Sequence, residues 1–315
     1  MMARILPPMR RIGKGATVCL SGAKRIGGIL PPVLVRRGLT VYFCQPDFYP
    51  RPVPMTQDQP LPRTRLFIDA PLSAGASAPL DGGRAHYLRA VLRQGPGDGV
   101  LAFNGRDGEF LARIDTLGKS AGTLTVERQT RPAPADPDAG PWLAFAPLKG
   151  GRTEYVVEKA VELGVSRLIP VFTRRGDVGR VNLERLRANA VEAAEQCERL
   201  TVPDVAEPVE LARLLSGWDE GRRLYLAAES GAAQPLVTAI TAHTTAPAAF
   251  LVGPEGGFDP TELALLYRMA FVVPIGLGPR ILRADTAAFA VLSAWQAVAG
   301  DWQRGGQDAR PPNRA

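Results

Sequence analysis

"LVGPEGGFDPTE", Leu251 to Glu262, decides how the rest of the chain is read. The apolar run "AAFLV" ends in a turn with three glycines and one glutamate, Gly253 to Gly257. Asp259, Pro260 and Glu262 then stand at the N-cap, first and third positions of a helix, a capping arrangement. A buried strand therefore passes through a glycine turn directly into a helix, as in a βαβ unit. Such turns lie at the carboxyl edge of a parallel sheet, where open α/β folds bind ligands. A second turn of the same kind, "GLGPRILRADT" (Gly276 to Thr286), follows the next strand.

Outward from these turns the pattern repeats. "WLAFAPL" (142–148) and "VSRLIPVF" read as strands flanking the helix "TEYVVEKAVEL", with Thr153 as its N-cap and Gly164 as its stop. "NLERLRANAVEAAEQCERL" opens on Asn182 and repeats apolar residues at Leu183, Leu186, Ala190, Ala194 and Cys197, a helical period. "RLYLAAE", "PLVTAITAH", "DPTELALLYRMA", "FVVPIGLG" and "DTAAFAVLSAWQAVAG" complete the alternation. Five strands alternating with helices predict a parallel sheet covered on both faces.

Residues 64–131 have a different texture: "NGRDG" and "KSAG" are glycine-bearing turns between alternating runs, the mark of hairpins. "DGGRAHYLRAVLRQGPGD" predicts a short amphipathic helix, with Tyr87, Leu88, Val91 and Leu92 on its apolar side. A small antiparallel barrel with one helix follows, joined by the linker 132–141 to a larger domain at 142–302.

The first 63 residues hold ten of the 38 Lys and Arg but two of the 31 Asp and Glu, a net of +8 within a chain total of +7. Residues 64–315 thus sum to −1, and any nucleic acid they bind must be held by local patches rather than by overall charge. Proline, glycine and arginine dominate residues 1–63, which read as a disordered extension outside the working fold, an upstream start with Met55 near the true beginning. A targeting peptide is the competing reading, without an amphipathic period or a cleavage signature to support it. Residues 303–315 read as a disordered tail.

No apolar run reaches the eighteen residues of a membrane span. Cys19, Cys44 and Cys197 form neither a C-x-x-C pair nor a Cys/His cluster, which argues against a disulfide framework or a metal site and fits a reducing, cytoplasmic setting. The nucleotide fingerprints G-x-G-x-x-G and G-x-x-x-x-G-K-[ST] are absent, and "APLKGGRTE" in the first βα turn does not replace them, so a nicotinamide oxidoreductase is disfavoured. Glu255 makes the first glycine turn unsuited to phosphate and suited to a cation or a hydroxyl-rich ligand. S-adenosylmethionine, a sulfonium with an adenosine moiety, meets that description.

"LVGPEGGF", "GLGPRILRADTAAFAVL" and "EAAEQCERLTVP", with "LKGGRTEYVVEKAVELGVSRLIPVFTRR" and "HYLRAVLRQGPGD", together resemble the RsmE family, SPOUT-superfamily methyltransferases that modify N3 of a uridine in 16S ribosomal RNA. The likeness runs over about residues 65–302; residues 1–63 have no counterpart in it. It implies an α/β fold: a small PUA-like β-barrel domain followed by a SPOUT-type parallel sheet with a trefoil knot. It further implies a homodimer with cofactor sites near the interface, and 16S rRNA or the 30S subunit as substrate. The turns then supply the cofactor-binding residues: Leu251, Gly253, Pro254, Glu255, Gly256 and Gly257 from the first, and Ile275, Leu277, Gly278 and Leu282 from the second. Two departures stand out: Asp285 occupies the place of a family glutamate in "LRADT", and Thr201 that of a family arginine.

Methyl transfer to uracil N3 needs an in-line approach, loss of the N3 proton and stabilisation of charge on the uracil oxygens. Glu195 and Asp285 are the candidates for proton acceptance. Arg283 and Arg199 are candidates for stabilising the anion or holding an RNA phosphate. Each has a plainer alternative: Glu195 and Arg199, four apart on a helix, as a surface ion pair; Asp285 as N-cap of the last helix; Arg283 as a loop or dimer contact. Arg84, Arg89 and Arg93 form one basic patch for RNA, and Lys149 with Arg152 a second, with solvated helix faces as the alternative. A related RNA methyltransferase with another target, or a non-catalytic ribosome-assembly protein of the same fold, are the remaining functional readings.

Overall fold

The computed structural model describes residues 60–136, 139–228, 233–244 and 246–303. The readings made on residues 1–59 and 304–315 lie outside the described residues.

The small sheet comprises β1 (Arg65–Phe67), β2 (Ser77–Leu80), β3 (Gly99–Phe103), β4 (Glu109–Leu117) and β5 (Gly122–Arg131), in the order β1-β3-β4-β5-β2. Both glycine-bearing turns join antiparallel neighbours as expected, β3 to β4 and β4 to β5. The sheet is not wholly antiparallel, however, because β1 runs parallel to β3. Leu66, Leu80, Val100, Ile114 and Leu124 close its core.

The helix in this domain also departs from the periodic expectation. α1 (Gly82–His86), capped by Asp81, gives way to a π-helical turn at Tyr87–Val91. Widening the turn moves side chains out of the 3.6-residue register. Leu88 is fully buried, while Tyr87, Val91 and Leu92 are exposed, at 37%, 60% and 37%.

The large sheet begins with β6 (Trp142–Phe145). α2 (Arg152–Glu162) leads to β7 (Arg167–Phe172), and α3 (Leu183–Gln196) to the short β8 (Asp204–Val205) and β9 (Val209–Glu210). α4 (Leu211–Ser216), β10 (Arg223–Ala227), β11 (Gln234–Pro235), α5 (Leu236–Thr241), β12 (Ala248–Val252), α6 (Pro260–Leu266), β13 (Val272–Gly276) and α7 (Ala284–Val298) follow. Spatial order is β11-β13-β10-β12-β6-β7-β8, with β9 also paired to β7, and every pairing is parallel. The five expected strands form the middle of this sheet. The edge strands β8, β9 and β11 and helix α4 carry too few residues for a periodic signal.

Strand alternation sends Phe145, Leu168, Tyr225 and Phe250 to the face covered by α2, α3, α5 and α7. Ala144, Ile169, Leu226, Ala249 and Leu251 go to the face covered by α4 and α6. One of the two cap assignments needs revision. Gly151 is the N-cap of α2, whereas Thr153 lies inside the first turn, where its hydroxyl accepts from Leu148 N at 2.7 Å. Asn182 caps α3 as expected, its Oδ1 accepting from Arg185 N.

Arg65 ties the two sheets together. Its Nε donates to Glu109 Oε2 at 2.8 Å, and its two Nη atoms donate to the carbonyls of Ala194, Glu195 and Arg199 at 2.8, 3.1 and 2.9 Å. The guanidinium thereby satisfies carbonyls at and beyond the end of α3, which a helix leaves open. It also lies 4.2 Å from the centre of the Phe103 ring. Arg131 Nη1 adds a bond to Glu198 O at 2.7 Å.

Candidate active site

A cavity of about 560 Å³ opens at the carboxyl edge of the large sheet, between the turn after β12 and the turn after β13. Its size is that of a small-molecule cofactor site. The first turn is closed by a Gly257 N to Pro254 O bond of 2.9 Å, with Gly257 at φ +66°, a left-handed conformation that favours glycine. Gly253 is required for a different reason: a Cβ there would lie 2.8 Å from Cε2 of the Phe258 ring, itself buried against the α6 face.

The helix start that ends this turn has a second function. Asp259 Oδ1 accepts from Thr261 Oγ1 and N at 2.6 and 2.9 Å, bonds that hold its carboxyl below the usual carboxylate range. Glu262 Oε2 accepts from Asp259 N at 2.9 Å and completes the capping box. The other oxygen of this buried carboxylate accepts from Arg174 N at 2.9 Å, fastening the segment after β7 beside the glycine turn. Arg175, next in that segment, donates from Nη1 to Gly256 O at 3.3 Å and lines the cavity.

Among the expected cofactor residues, Gly253, Pro254, Glu255, Gly256 and Gly257 line the cavity from the first turn, and Leu277, Gly278 and Leu282 from the second. Leu251 and Ile275 do not. Each sits one or two residues inside its strand, and both side chains are wholly buried, Leu251 towards α6 and Ile275 towards the opposite face. The expectation missed Ala227 and Ala228 at the end of β10, and also Arg175, Phe258 and Arg280, which line the same cavity. Ala227 and Ala228 follow a strand adjacent to both glycine-turn strands in space but not in sequence. The only available sequence signal was their position at the end of an apolar run.

Arg283 and Asp285 fall on opposite sides of the cavity boundary. Arg283 occupies the N-cap position of α7 and lines the cavity; its carbonyl accepts from Ala287 N at 2.8 Å, and its side chain makes no hydrogen bond or ion pair among the described residues. Asp285 therefore does not cap α7; it stands at the second helical position, half-buried, and accepts from Thr286 N at 2.7 Å. It does not line the cavity.

Glu195 and Arg199 lie elsewhere in the chain's fold, at the seam between the two sheets. Glu195 Oε1 accepts from Phe67 N at 2.8 Å, and burial pushes its carboxyl up despite that bond and the nearby charges of Arg84 and Arg65. Arg199 donates to Thr201 Oγ1 at 2.8 Å and Val161 O at 3.1 Å; burial pulls its guanidinium down to about 10. The two make no ion pair with each other. α3 ends at Gln196 and Glu198 turns left-handed, at φ +64°, so the i,i+4 geometry of a continuous helix does not exist here.

The expected basic patches also divide. Arg89 and Arg93 are exposed, and Arg84 pairs with its neighbour Asp81. Lys149 pairs with Asp177 at 2.9 Å, and Arg152 with Glu255 at 3.0 Å. Glu255, the acid of the opening motif, is thus already matched by a guanidinium. Neither His86 nor His243 lines the cavity. No helix among the described residues is long and apolar enough to cross a membrane.

A parallel sheet with a ligand cavity between late glycine turns, joined to a small mixed β domain, defines a class: residues 140–296 match the RNA methyltransferase domain, and residues 80–127 the RNA methyltransferase PUA domain. Ribosomal RNA small subunit methyltransferase E of Rickettsia conorii is 32% identical over 230 residues, which are 73% of this chain and 93% of that protein. The protein of the same name from Synechocystis sp. is 30% identical over 278 residues, 86% of this chain and 88% of its own. The crystal structure of the Neisseria gonorrhoeae ribosomal RNA small subunit methyltransferase E, bound to S-adenosyl methionine, superposes with a TM-score of 0.68 at 27% identity, over 78% of this chain and 100% of that one. The chain belongs to the ribosomal RNA small subunit methyltransferase E family.

Proposed function

We propose that the protein methylates N3 of a uridine in 16S ribosomal RNA, using S-adenosylmethionine. The observation that carries this reading is the cavity between the two glycine turns. It is roomy enough for the cofactor, its walls include small apolar side chains at Ala227, Ala228, Val252 and Leu277, and Gly253 and Gly257 bring bare backbone to its edge. Backbone N–H and C=O groups there suit an adenine edge, and the small side chains suit its faces. When bound, the cofactor supplies an electrophilic methyl group on sulfonium.

The chain's own residues would position the uracil and stabilise it as N3 loses its proton. Arg283, at the cavity wall, is suited to meet negative charge on a uracil oxygen or an adjacent phosphate. Asp285, two residues on in the first turn of α7, is the nearer of the two carboxylates considered for accepting the proton, directly or through water. Glu195 is instead suited to hold the small domain through Phe67 N, and Arg199 to brace the large one through Val161 O and Thr201 Oγ1 while its carbonyl accepts from Arg65.

We further propose that residues 64–131 act as the RNA-binding domain, through Arg84, Arg89 and Arg93, and residues 142–302 as the methyltransferase domain. The protein would work in the cytoplasm as a homodimer. The exposed Tyr155 of α2, packed edge-on against Phe289 of α7, supports pairing through that face. A trefoil-knotted path is supported by the strand order: β13 lies between β10 and β11, and the chain after it crosses to the α7 face.

The test is incubation of the purified protein with labelled S-adenosylmethionine and undermethylated 30S subunits, followed by mass spectrometry of the digested RNA. N3-methyluridine is the expected product. Cofactor binding without transfer to any RNA would move the protein to a non-catalytic role; transfer to a different base or RNA would overturn the assigned target.

A further inference from the structure

The cavity carries more positive charge than its proposed cofactor needs. Arg175, Arg280 and Arg283 line it, from the segment after β7 and from the turn after β13. Its lining carboxylate, Glu255, is matched by Arg152. Arg174, not Arg175, makes the ion pair with Asp259, at 3.6 Å. The side chains of Arg280 and Arg283 make no hydrogen bond or ion pair among the described residues, and that of Arg175 donates to Gly256 O, at 3.3 Å, within electrostatic reach of Asp259. S-adenosylmethionine bears one carboxylate against a sulfonium and an ammonium. One guanidinium is enough to balance that carboxylate, and the charge of the other two is left to an anionic partner.

Arg175 is held in place. The buried Glu262 bonds both Arg174 N and Asp259 N at 2.9 Å, and Gly176 N closes a turn on Thr173 O at 3.0 Å. Lys149 and Arg152, which the sequence put forward for RNA, are matched by Asp177 and Glu255. Free cationic capacity beside the reacting centre thus resides on the cavity rim.

We propose that Arg175 and Arg280, with Arg283, form a phosphate clamp that grips the RNA backbone beside the target nucleotide and holds the base over the cavity. The inference rests on the methyltransferase reading above and names how its substrate is held. Two guanidinium forks from separate chain segments fix a phosphodiester in position and orientation without reading its sequence.

The test uses the full chain carrying Arg175→Ala, Arg280→Ala and both together. An exposed-charge control, Arg213→Ala, is placed on α4, away from the cavity. Binding to undermethylated 30S subunits is measured across a salt series, and S-adenosylmethionine binding by calorimetry. The double variant is expected to weaken subunit binding roughly tenfold and to flatten the log K against log salt slope by about 1.5, from two lost phosphate contacts. Cofactor affinity should stay within twofold. An unchanged salt slope, or an equal loss in Arg213→Ala, overturns the clamp. Lost cofactor affinity with unchanged subunit binding also overturns it and gives the rim to the cofactor carboxylate. Failure of the wild-type protein to transfer methyl groups would sink the functional reading instead, since the clamp is judged on the subunit-binding slope alone.

Discussion

Arg65→Met should separate the two domains' energetics. Arg65 and Glu109 have side-chain exposures of 1% and 0%, so methionine leaves a carboxylate buried without its guanidinium. Removing one partner of a buried pair costs about 3–5 kcal/mol. Methionine keeps an apolar stem of similar length but drops the guanidinium's contact with the Phe103 ring and the bonds to Ala194, Glu195 and Arg199, so about 4–5 kcal/mol is expected. At roughly 2–4 °C per kcal/mol for a folded region of this size, melting falls by about 8–20 °C. The double variant Arg65→Met/Glu109→Gln removes the stranded charge and should recover about 2 kcal/mol, a coupling visible in urea unfolding as non-additivity. In steady-state kinetics the single variant, assayed below its melting range, should raise KM for 30S subunits while leaving cofactor affinity unchanged, because only the small domain's orientation is loosened. An Arg65→Met cost under about 1 kcal/mol, or strict additivity with Glu109→Gln, would refute the view that this pair is the pin of the seam.

Other outcomes follow from the same geometry. Gly253→Ala pushes a methyl into the Phe258 ring, costing about 1–3 kcal/mol and weakening cofactor binding, and Phe258→Leu in the same chain should restore binding; no rescue in calorimetry would mean the ring is not the obstacle. Gly257→Ala meets no protein atom but holds a left-handed φ, so it should cost about 1–2 kcal/mol of stability in urea unfolding. Glu195 titrates above its ordinary value, so the folded state binds more protons than the unfolded one in that window, and stability is lost as pH rises through the raised pKa. Glu195→Gln should therefore flatten the decline in melting temperature above about pH 4.5 and retain methyl transfer; abolished transfer in a normally folded variant would return Glu195 to the catalytic centre. Glu262→Ala, which releases Arg174 N and Asp259 N together, should raise backbone hydrogen exchange in residues 173–176 as well as at the start of α6.

Local sequence determined what local physics controls. The Asp259–Pro260–Glu262 start, the two glycine turns, the five apolar strands and the Asn182 cap are each specified within a few residues, by hydrogen bonds or side-chain periods that need no distant partner. Eight cavity residues were legible for that reason. What depended on distant packing was not. The π-helical turn exposes Tyr87, Val91 and Leu92 although their spacing fits an apolar stripe. The i,i+4 spacing of Glu195 and Arg199 predicted an ion pair, but α3 stops before Arg199, and Arg65, 129 residues from Ala194 in sequence, occupies the helix end. The cavity's remaining walls come from β10 and from the segment after β7, which only the sheet order and the Glu262 bridge bring to the glycine turns. Periodicity and capping are short-range properties of a chain. Which strand lies beside which, and which charge is matched by which, are settled by long-range burial, and those choices decided that Arg152 neutralises Glu255 while Arg175, Arg280 and Arg283 face the cavity.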